Sequence, residues 1–381
     1  MIGNPFRFDD VATGSYFTNG ARELAEVQED IRSGQNIVII SPRRYGKTSL
    51  IFEAMDRLRR DHILVAYLDL FRAPTKDRFA DLLASAIYAG LINPVERAWQ
   101  NVVDLFQKLP VQPKVTIGAD GTPSFEFSPG QRSRDIDRTI EELLALPGKI
   151  AGERRRIALV FDEFQQIVEI DEHLPGLMRA VFQMQGDVAH VFLGSKRHLM
   201  QEVFTERHQP LYKMAKPLLL RPIATDDFAT FIKRRCEETG QGIGDEAITH
   251  ILAITEGHPH DTQELCYFTW ALAQGDRIAV IDAAVVDRAL VQVLDAESAH
   301  YTTLWEGLAA HQRLVLLALA SESGPVYSEE YRRRHRLGAV SSVQKSIARL
   351  VARELLEQVP GNGYRIADIF LRSWIGQRAT P

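Results

Sequence analysis

The stretch NIVIISPRRYGKTSLIFEAM, residues 36–55, restricts the possible folds more than any other part of the chain. NIVIIS (36–41) is apolar on both faces, the pattern of a strand in the middle of a parallel sheet. Gly46-Lys47-Thr48 then opens a helix expected over 46–60. Strand, tight loop and helix in that order aim backbone N–H groups from a helix N-terminus, an arrangement suited to phosphate anions. The loop offers Ser41, Pro42, Arg43, Arg44, Tyr45, Gly46, Lys47, Thr48 and Ser49. Ser41 stands where the G-x-x-x-x-G-K-[ST] pattern has its first glycine. A serine serves there if its φ is negative, and Pro42 biases it toward extended geometry.

The rest of the first half repeats the strand–helix alternation. ARELAEVQEDIR (21–32) reads as a short amphipathic helix. HILVAYLDL (62–70), RIALVFDEF (156–164), HVFLGS (190–195) and PLLLRPI (217–223) read as further buried strands, with helices at 77–93 and 133–151. KVTIGADGTPSFEF carries an Asp120-Gly121 turn between two β-like runs, a hairpin insertion within 110–130. The expected architecture is α/β, a doubly wound parallel sheet. From Thr225 the strand signal fades into three helices, with Asp226 and Asp227 in a first turn and Gly240 and Gly257 as stops. A polar stretch near Glu297–His300 leads to three more helices and a Gly-Asn-Gly turn between short strands, a winged helix-turn-helix. The expected domains are a core over 1–223, a helical lid over 224–297 and the winged helix over 298–381.

A length of 381 residues accommodates two or three cores. A net charge of −5 excludes a polycation that seeks nucleic acid with its whole surface, though not a local basic face. Cys236 and Cys266 have neither metal spacing nor a disulfide framework and read as buried small side chains. MIGNPFRFDD lacks an apolar signal core, and no run approaches the ~20 apolar residues of a membrane span. A cytoplasmic protein without membrane contact is expected.

In a phosphate loop Gly46 lets the backbone approach the phosphates, Lys47 reaches the β- and γ-oxygens, and Thr48 Oγ1 ligates Mg²⁺. Such a site also needs a carboxylate at the tip of a neighbouring strand for the metal, and a base that orients the attacking water. VFDEF supplies Asp162 for the first task and Glu163 for the second. After the next strand, Ser195 sits between the two motifs and is the candidate to feel the γ-phosphate, with Lys196 second; Ser195 also reads as a helix cap.

SPRRYGKTSL, LVFDEFQQI, FLGSKRHLM and TEGHPHDTQELC, in that order and followed by a winged helix, resemble the archaeal-type P-loop ATPases of the AAA+/STAND group. NPF (4–6) and YRIADIFLRSWI resemble the same family. The resemblance implies ATP and Mg²⁺ as ligands, slow hydrolysis, and a nucleotide held between core and lid. It assigns roles to Lys47, Thr48, Asp162, Glu163 and Ser195, and places Gly257 and Pro259 near the base and sugar. Three features depart from the family: Gly20 precedes Arg22 in YFTNGARELAEV, His260 falls where a lid arginine is usual, and LYKMAKP replaces Tyr-Gly-Arg, with Lys213 or Arg207 as substitutes. A chain without an arginine finger suits a slow switch better than a motor.

Arg43 and Arg44 meet ATP or a neighbouring subunit of a homo-oligomer, or stay solvated. EEYRRRHRLG clusters Arg332, Arg333, Arg334 and Arg336, and SSVQKSIARLVARE offers Ser341, Ser342, Gln344, Lys345, Arg349 and Arg353 as the polar face of a recognition helix. Duplex DNA and a protein partner both remain open for this face. Three functions follow: an ATP-dependent molecular switch, a DNA-binding initiator or regulator controlled by nucleotide, and a small-molecule P-loop kinase, which the lid and winged helix disfavour.

Overall fold

The computed structural model describes residues 3–9, 11–18, 20–41, 44–91, 114–117, 123–126, 133–151, 156–220, 222–359 and 363–379. The chain divides into two compact units, residues 13–221 and residues 1–12 with 222–381.

The first unit is built on β1 (Ile37–Ile40), β2 (Leu64–Asp69), β5 (Ile157–Asp162), β6 (Val188–Gly194) and β7 (Lys216–Leu219). All pair in parallel, in the order β2-β5-β6-β1-β7. Between β2 and β5 the chain forms the antiparallel pair β3 (Lys114–Ile117) and β4 (Pro123–Glu126); the Asp120-Gly121 turn lies outside the described residues. The helices of this unit include α1 (Ala21–Arg32), α2 (Lys47–Arg60), α3 (Lys76–Leu91), α4 (Ser133–Ile150), α5 (Leu174–Phe182) and α6 (Arg197–Thr205).

Strand alternation divides the buried side chains between two cores. Ile37 and Ile39 join Leu24, Val27, Leu50, Ile51 and Met55 of α1 and α2. Val38 and Ile40 fall in the other cluster, with Phe79 and Leu83 of α3 and Leu143 of α4. A strand buried on both faces needs apolar residues at every position, which is why NIVIIS shows no alternation. The fold class is therefore the expected doubly wound parallel sheet.

One expectation is corrected. The strand that carries Asp162 is not the neighbour of β1, because β6 pairs with both β1 and β5 and lies between them. Hydropathy marks each strand as central but is blind to the route its crossover takes, and so to strand order.

In the second unit, α7 (Thr225–Glu237), α8 (Asp245–Thr255), α9 (Pro259–Gly275), α10 (Ala283–Glu306), α11 (Ala310–Ser321), α12 (Glu329–Arg334), α13 (Val340–Ala352) and α14 (Ile369–Ala379) accompany a small parallel pair, β8 (Gly242–Ile243) with β9 (Val280–Ile281), and the wing, β10 (Leu356–Val359) with β11 (Gly363–Ile366). One continuous cluster runs from Phe6 through Phe228, Leu265 and Val293 to Leu350 and Ile375. The NPF segment packs here: Asn4 Nδ2 donates to Tyr267 O at 3.0 Å and Arg235 Nε to Pro5 O at 2.9 Å.

The polar stretch Glu297–His300 lies inside α10, which has no glycine or proline, is capped by Asp282 accepting from Val285 N, and buries Val293, Leu294 and Tyr301 on one side. The recognition helix ends at Ala352, and Leu356–Val359 forms a strand of the wing. Glu256, between α8 and α9, accepts from Arg365 of the wing at 3.0 Å and from Arg372 of α14 at 2.7 Å, which ties the winged helix to this corner. No helix among the described residues is long and apolar enough to cross a membrane.

Candidate functional site

Among the described residues of the loop after β1, Arg44 with φ +64° and Gly46 with φ +76° take the left-handed conformation. Gly46 is the N-cap of α2, and a Cβ there would meet nothing within 4 Å among the described residues, so its left-handed conformation is what calls for glycine. Ser41 is fully buried and is not among the residues of positive φ, as the substitution of the usual first glycine requires. Lys47 is also buried, and its Nζ donates to the Ser41 carbonyl at 3.1 Å. Arg44 is exposed, while Tyr45, Thr48 and Ser49 are half-buried; Pro42 and Arg43 lie outside the described residues.

Asp162 ends β5, Glu163 follows it, and the two take separate directions. Glu163 has φ +51° and ψ 44°, a left-handed conformation that costs an L-residue about 1–2 kcal/mol. It turns the chain out of the sheet, so the two carboxylates serve different partners. Asp162 Oδ2 accepts from Thr48 Oγ1 at 3.3 Å and from Tyr67 Oη at 2.7 Å, and its Oδ1 accepts from Glu163 N at 2.9 Å. Burial raises the Asp162 carboxyl above the ordinary range, opposed by the hydrogen bonds from Tyr67 and Glu163 N. Burial, and then the neighbouring Asp162, raise the Tyr67 phenol as well.

Glu163 Oε2 accepts from Ser195 Oγ at 3.0 Å and also from Gln165 Nε2. Gln165 Nε2 reaches Ser195 Oγ at 3.4 Å, closing a triangle of polar groups at the ends of β5 and β6. Gln165 Oε1 is buried and has no hydrogen-bond partner among the described residues. Ser195 does not cap α6, whose N-cap Lys196 makes no side-chain bond to the helix. Tyr67 and Gln165 are not among the residues that the sequence motifs point to. Tyr67 is a polar-tipped residue in an otherwise apolar run before Asp69, which is a faint signal; Gln165 has none.

Pro259 opens α9 in the other unit, after Gly257 at φ +70°. A Cβ on Gly257 would meet the Ile223 carbonyl at 2.7 Å, so this turn also demands glycine. His260 faces two carboxylates, with Nδ1 at 3.2 Å from Asp261 and 3.6 Å from Glu264.

The basic residues of the winged helix fall into two groups. Arg332 donates to the carbonyls of Tyr327 and Gly338, and Arg334 pairs with Glu322 and Glu330. Arg333, Arg336, Lys345 and Arg349 are exposed, and their side chains have no partner among the described residues. Ser341, Ser342 and Gln344 are exposed beside them on α13.

The glycine-hinged start of α2 thus holds a buried lysine next to a hydroxyl that faces a strand-end carboxylate. Residues 17–265 match the family described as an ATPase domain predominantly from Archaea. The chain belongs to that ATPase family. Residues 299–377 of this ATPase match a second profile, described as "probable winged helix domain". Similar solved structures include the Walker-type ATPase of Pyrococcus abyssi, at TM-score 0.66 and 15% identity over 97% of this chain and 99% of that one. The ORC2 protein of Aeropyrum pernix, in ADPNP–ADP complexes, follows at TM-score 0.55 and 14% identity over 99% and 100%. The ORC1 protein of Aeropyrum pernix in complex with DNA has TM-score 0.50 and 14% identity over 96% and 94%. At such identities the likeness concerns the fold alone, a parallel α/β core followed by helices and a C-terminal winged helix. No curated protein matches this ATPase by sequence.

Proposed function

We propose that this ATPase is a slow, Mg²⁺-dependent molecular switch. ATP sits on the loop from Ser41 to Ser49, and its turnover controls the unit that carries the winged helix. The observation that carries this reading is the convergence of two pairs at the C-terminal edge of one sheet: Thr48 with Asp162 at 3.3 Å, and Ser195 with Glu163 at 3.0 Å.

Lys47 would leave the Ser41 carbonyl for the β- and γ-phosphate oxygens, and the N–H groups at the start of α2 would bond the phosphates. Thr48 Oγ1 and Asp162 form a hard-oxygen pair that fits Mg²⁺, which takes one or two protein oxygens alongside phosphates and water. When bound, the ion would neutralise charge on the phosphate oxygens. Glu163 would orient and deprotonate the attacking water, and Ser195, now its donor, would turn toward the γ-phosphate. Slow turnover fits a chain in which His260, engaged with carboxylates, stands in place of a lid arginine. The shared core of lid helices and winged helix, with the Glu256 ion pairs, favours their moving together. A switch further requires that its two arrangements bind ATP differently.

Titration with ATP tests the loop, and steady-state hydrolysis tests the base. Lys47→Ala should abolish ATP binding, whereas Glu163→Gln should bind ATP and not turn it over. Turnover of Glu163→Gln at the parent rate would remove Glu163 from its role.

A second reading, duplex-DNA contact through the winged helix, is favoured by Arg333, Arg336, Lys345 and Arg349, cations without a side-chain partner among the described residues. The DNA-bound ORC1 protein shares the fold. Phosphate contacts by these side chains would make binding fall steeply with salt.

A further inference from the structure

We infer that Tyr67 is a positioning residue for the metal half of the site: its hydroxyl holds the Asp162 carboxylate in place so that a divalent cation adds to a ready-made ligand. The inference rests on the assignment of Asp162 to Mg²⁺.

The geometry begins with strand register. In the parallel pair of β2 and β5, Asp69 lies opposite Asp162 and Tyr67 opposite Val160. Side chains two apart share a sheet face, so Tyr67 lies on the face of Asp162, one pleat before it. A tyrosine is long enough to cover that pleat, and its hydroxyl reaches Asp162 Oδ2 at 2.7 Å. The ring is fixed from above by Phe52 of α2, edge-on, with centroids 4.9 Å apart. The helix that opens with Lys47 and Thr48 thus also locates the donor to Asp162.

The hydroxyl is needed beyond packing. Asp162 is 5% exposed, and a carboxylate taken from water needs donors to stay charged. Of its donors among the described residues, Thr48 Oγ1 is the most distant, at 3.3 Å, and is also the group expected to turn to the metal. What remains is Glu163 N on Oδ1 and Tyr67 on Oδ2. A carboxylate offers about four acceptor sites, so these two donors leave lone pairs for a cation while preventing rotation about the Cβ–Cγ bond. A phenylalanine would preserve the contact with Phe52 and remove only the donor.

The test separates nucleotide affinity from metal affinity. ATP binding is measured by calorimetry in EDTA and in excess Mg²⁺ for the parent, Tyr67→Phe, Asp162→Asn and the double variant, and Mn²⁺ occupancy is followed by electron paramagnetic resonance. For Tyr67→Phe the EDTA affinity should match the parent within about twofold, while the Mg²⁺ affinity drops roughly tenfold, the scale of a hydrogen bond to a charged group. Mn²⁺ occupancy should fall in parallel, and the double variant should be no weaker than Asp162→Asn alone. A parental response of Tyr67→Phe to Mg²⁺, with Asp162→Asn impaired, overturns the inference and leaves the site assignment standing. Parental Mg²⁺ dependence in Asp162→Asn overturns both. Equal losses with and without metal would mark Tyr67 as a packing residue and also overturn it.

Discussion

Ser195 Oγ donates to Glu163 Oε2 across 3.0 Å, joining residues 32 positions apart on the ends of two paired strands. The proposed water-orienting base is therefore held by the residue proposed to feel the γ-phosphate. If both roles are right, Ser195→Ala should bind ATP within about threefold of the parent and lose roughly 10–100-fold in kcat, part of the ~10²–10⁴-fold that a positioned general base contributes. Single-turnover hydrolysis alongside equilibrium nucleotide binding reads both quantities, and an unchanged kcat would refute the coupling.

Gly46 has φ +76°, and a methyl group added to its Cα would find nothing within 4 Å among the described residues. Gly46→Ala should cost about 1–2 kcal/mol in urea unfolding of the ligand-free protein, from conformational strain. Nucleotide affinity should fall by more than that, because the added methyl would face the phosphates. Parental ATP affinity in a folded Gly46→Ala protein would mean that the loop does not cradle phosphate.

Asp162 is held above the usual carboxylate range by burial. Between the ordinary value of about 3.9 and the raised one, the folded state binds more protons than the unfolded state. Stability therefore falls as pH rises through that window, and the ionised side chain destabilises the ligand-free fold at neutral pH. Asp162→Asn should melt higher than the parent at neutral pH, with the difference shrinking as pH falls below the window. The same variant should lose the extra stabilisation that Mg²⁺ adds to ATP. Melting curves across pH, with and without Mg·ATP, check both signs.

The two groups of basic residues on the winged helix predict different phenotypes. Replacing Arg333, Arg336, Lys345 and Arg349 by alanine should flatten the salt dependence of duplex-DNA binding, by about 0.9 in log–log slope for each phosphate no longer neutralised. Arg332→Ala should lower the melting temperature and leave that slope unchanged, since its guanidinium bonds two carbonyls of its own domain. Identical slopes for the parent and the quadruple variant would exclude this face as the DNA surface.

Much of this was legible in one dimension, because the relevant physics is local. NIVIIS announces a doubly buried strand and Gly46 a left-handed hinge; both depend on a few neighbouring residues. Less local features leave no such mark. The polar stretch at Glu297–His300 reads as a connection, yet it rides on a helix whose other side is buried by distant partners. The arginines near residue 334 look equivalent along the chain, but Glu322, on the preceding segment, engages one and leaves its neighbour in water.

The amino-acid order alone determined which chemical groups this ATPase possesses: a phosphate-loop lysine and threonine, two strand-end acids, a serine and a basic helix face. Periodicity and turn chemistry also determined that they sit on a parallel α/β sheet and a winged helix. Only the tertiary structure decided how those groups are paired. Strand order inserts β6 between β1 and β5, register brings Tyr67 to Asp162, and the left-handed turn at Glu163 sends the second acid to Ser195 and Gln165. Such pairings depend on crossover routes and on the packing of helices over sheet faces, which sum interactions between residues far apart in the chain and leave no periodic trace in it.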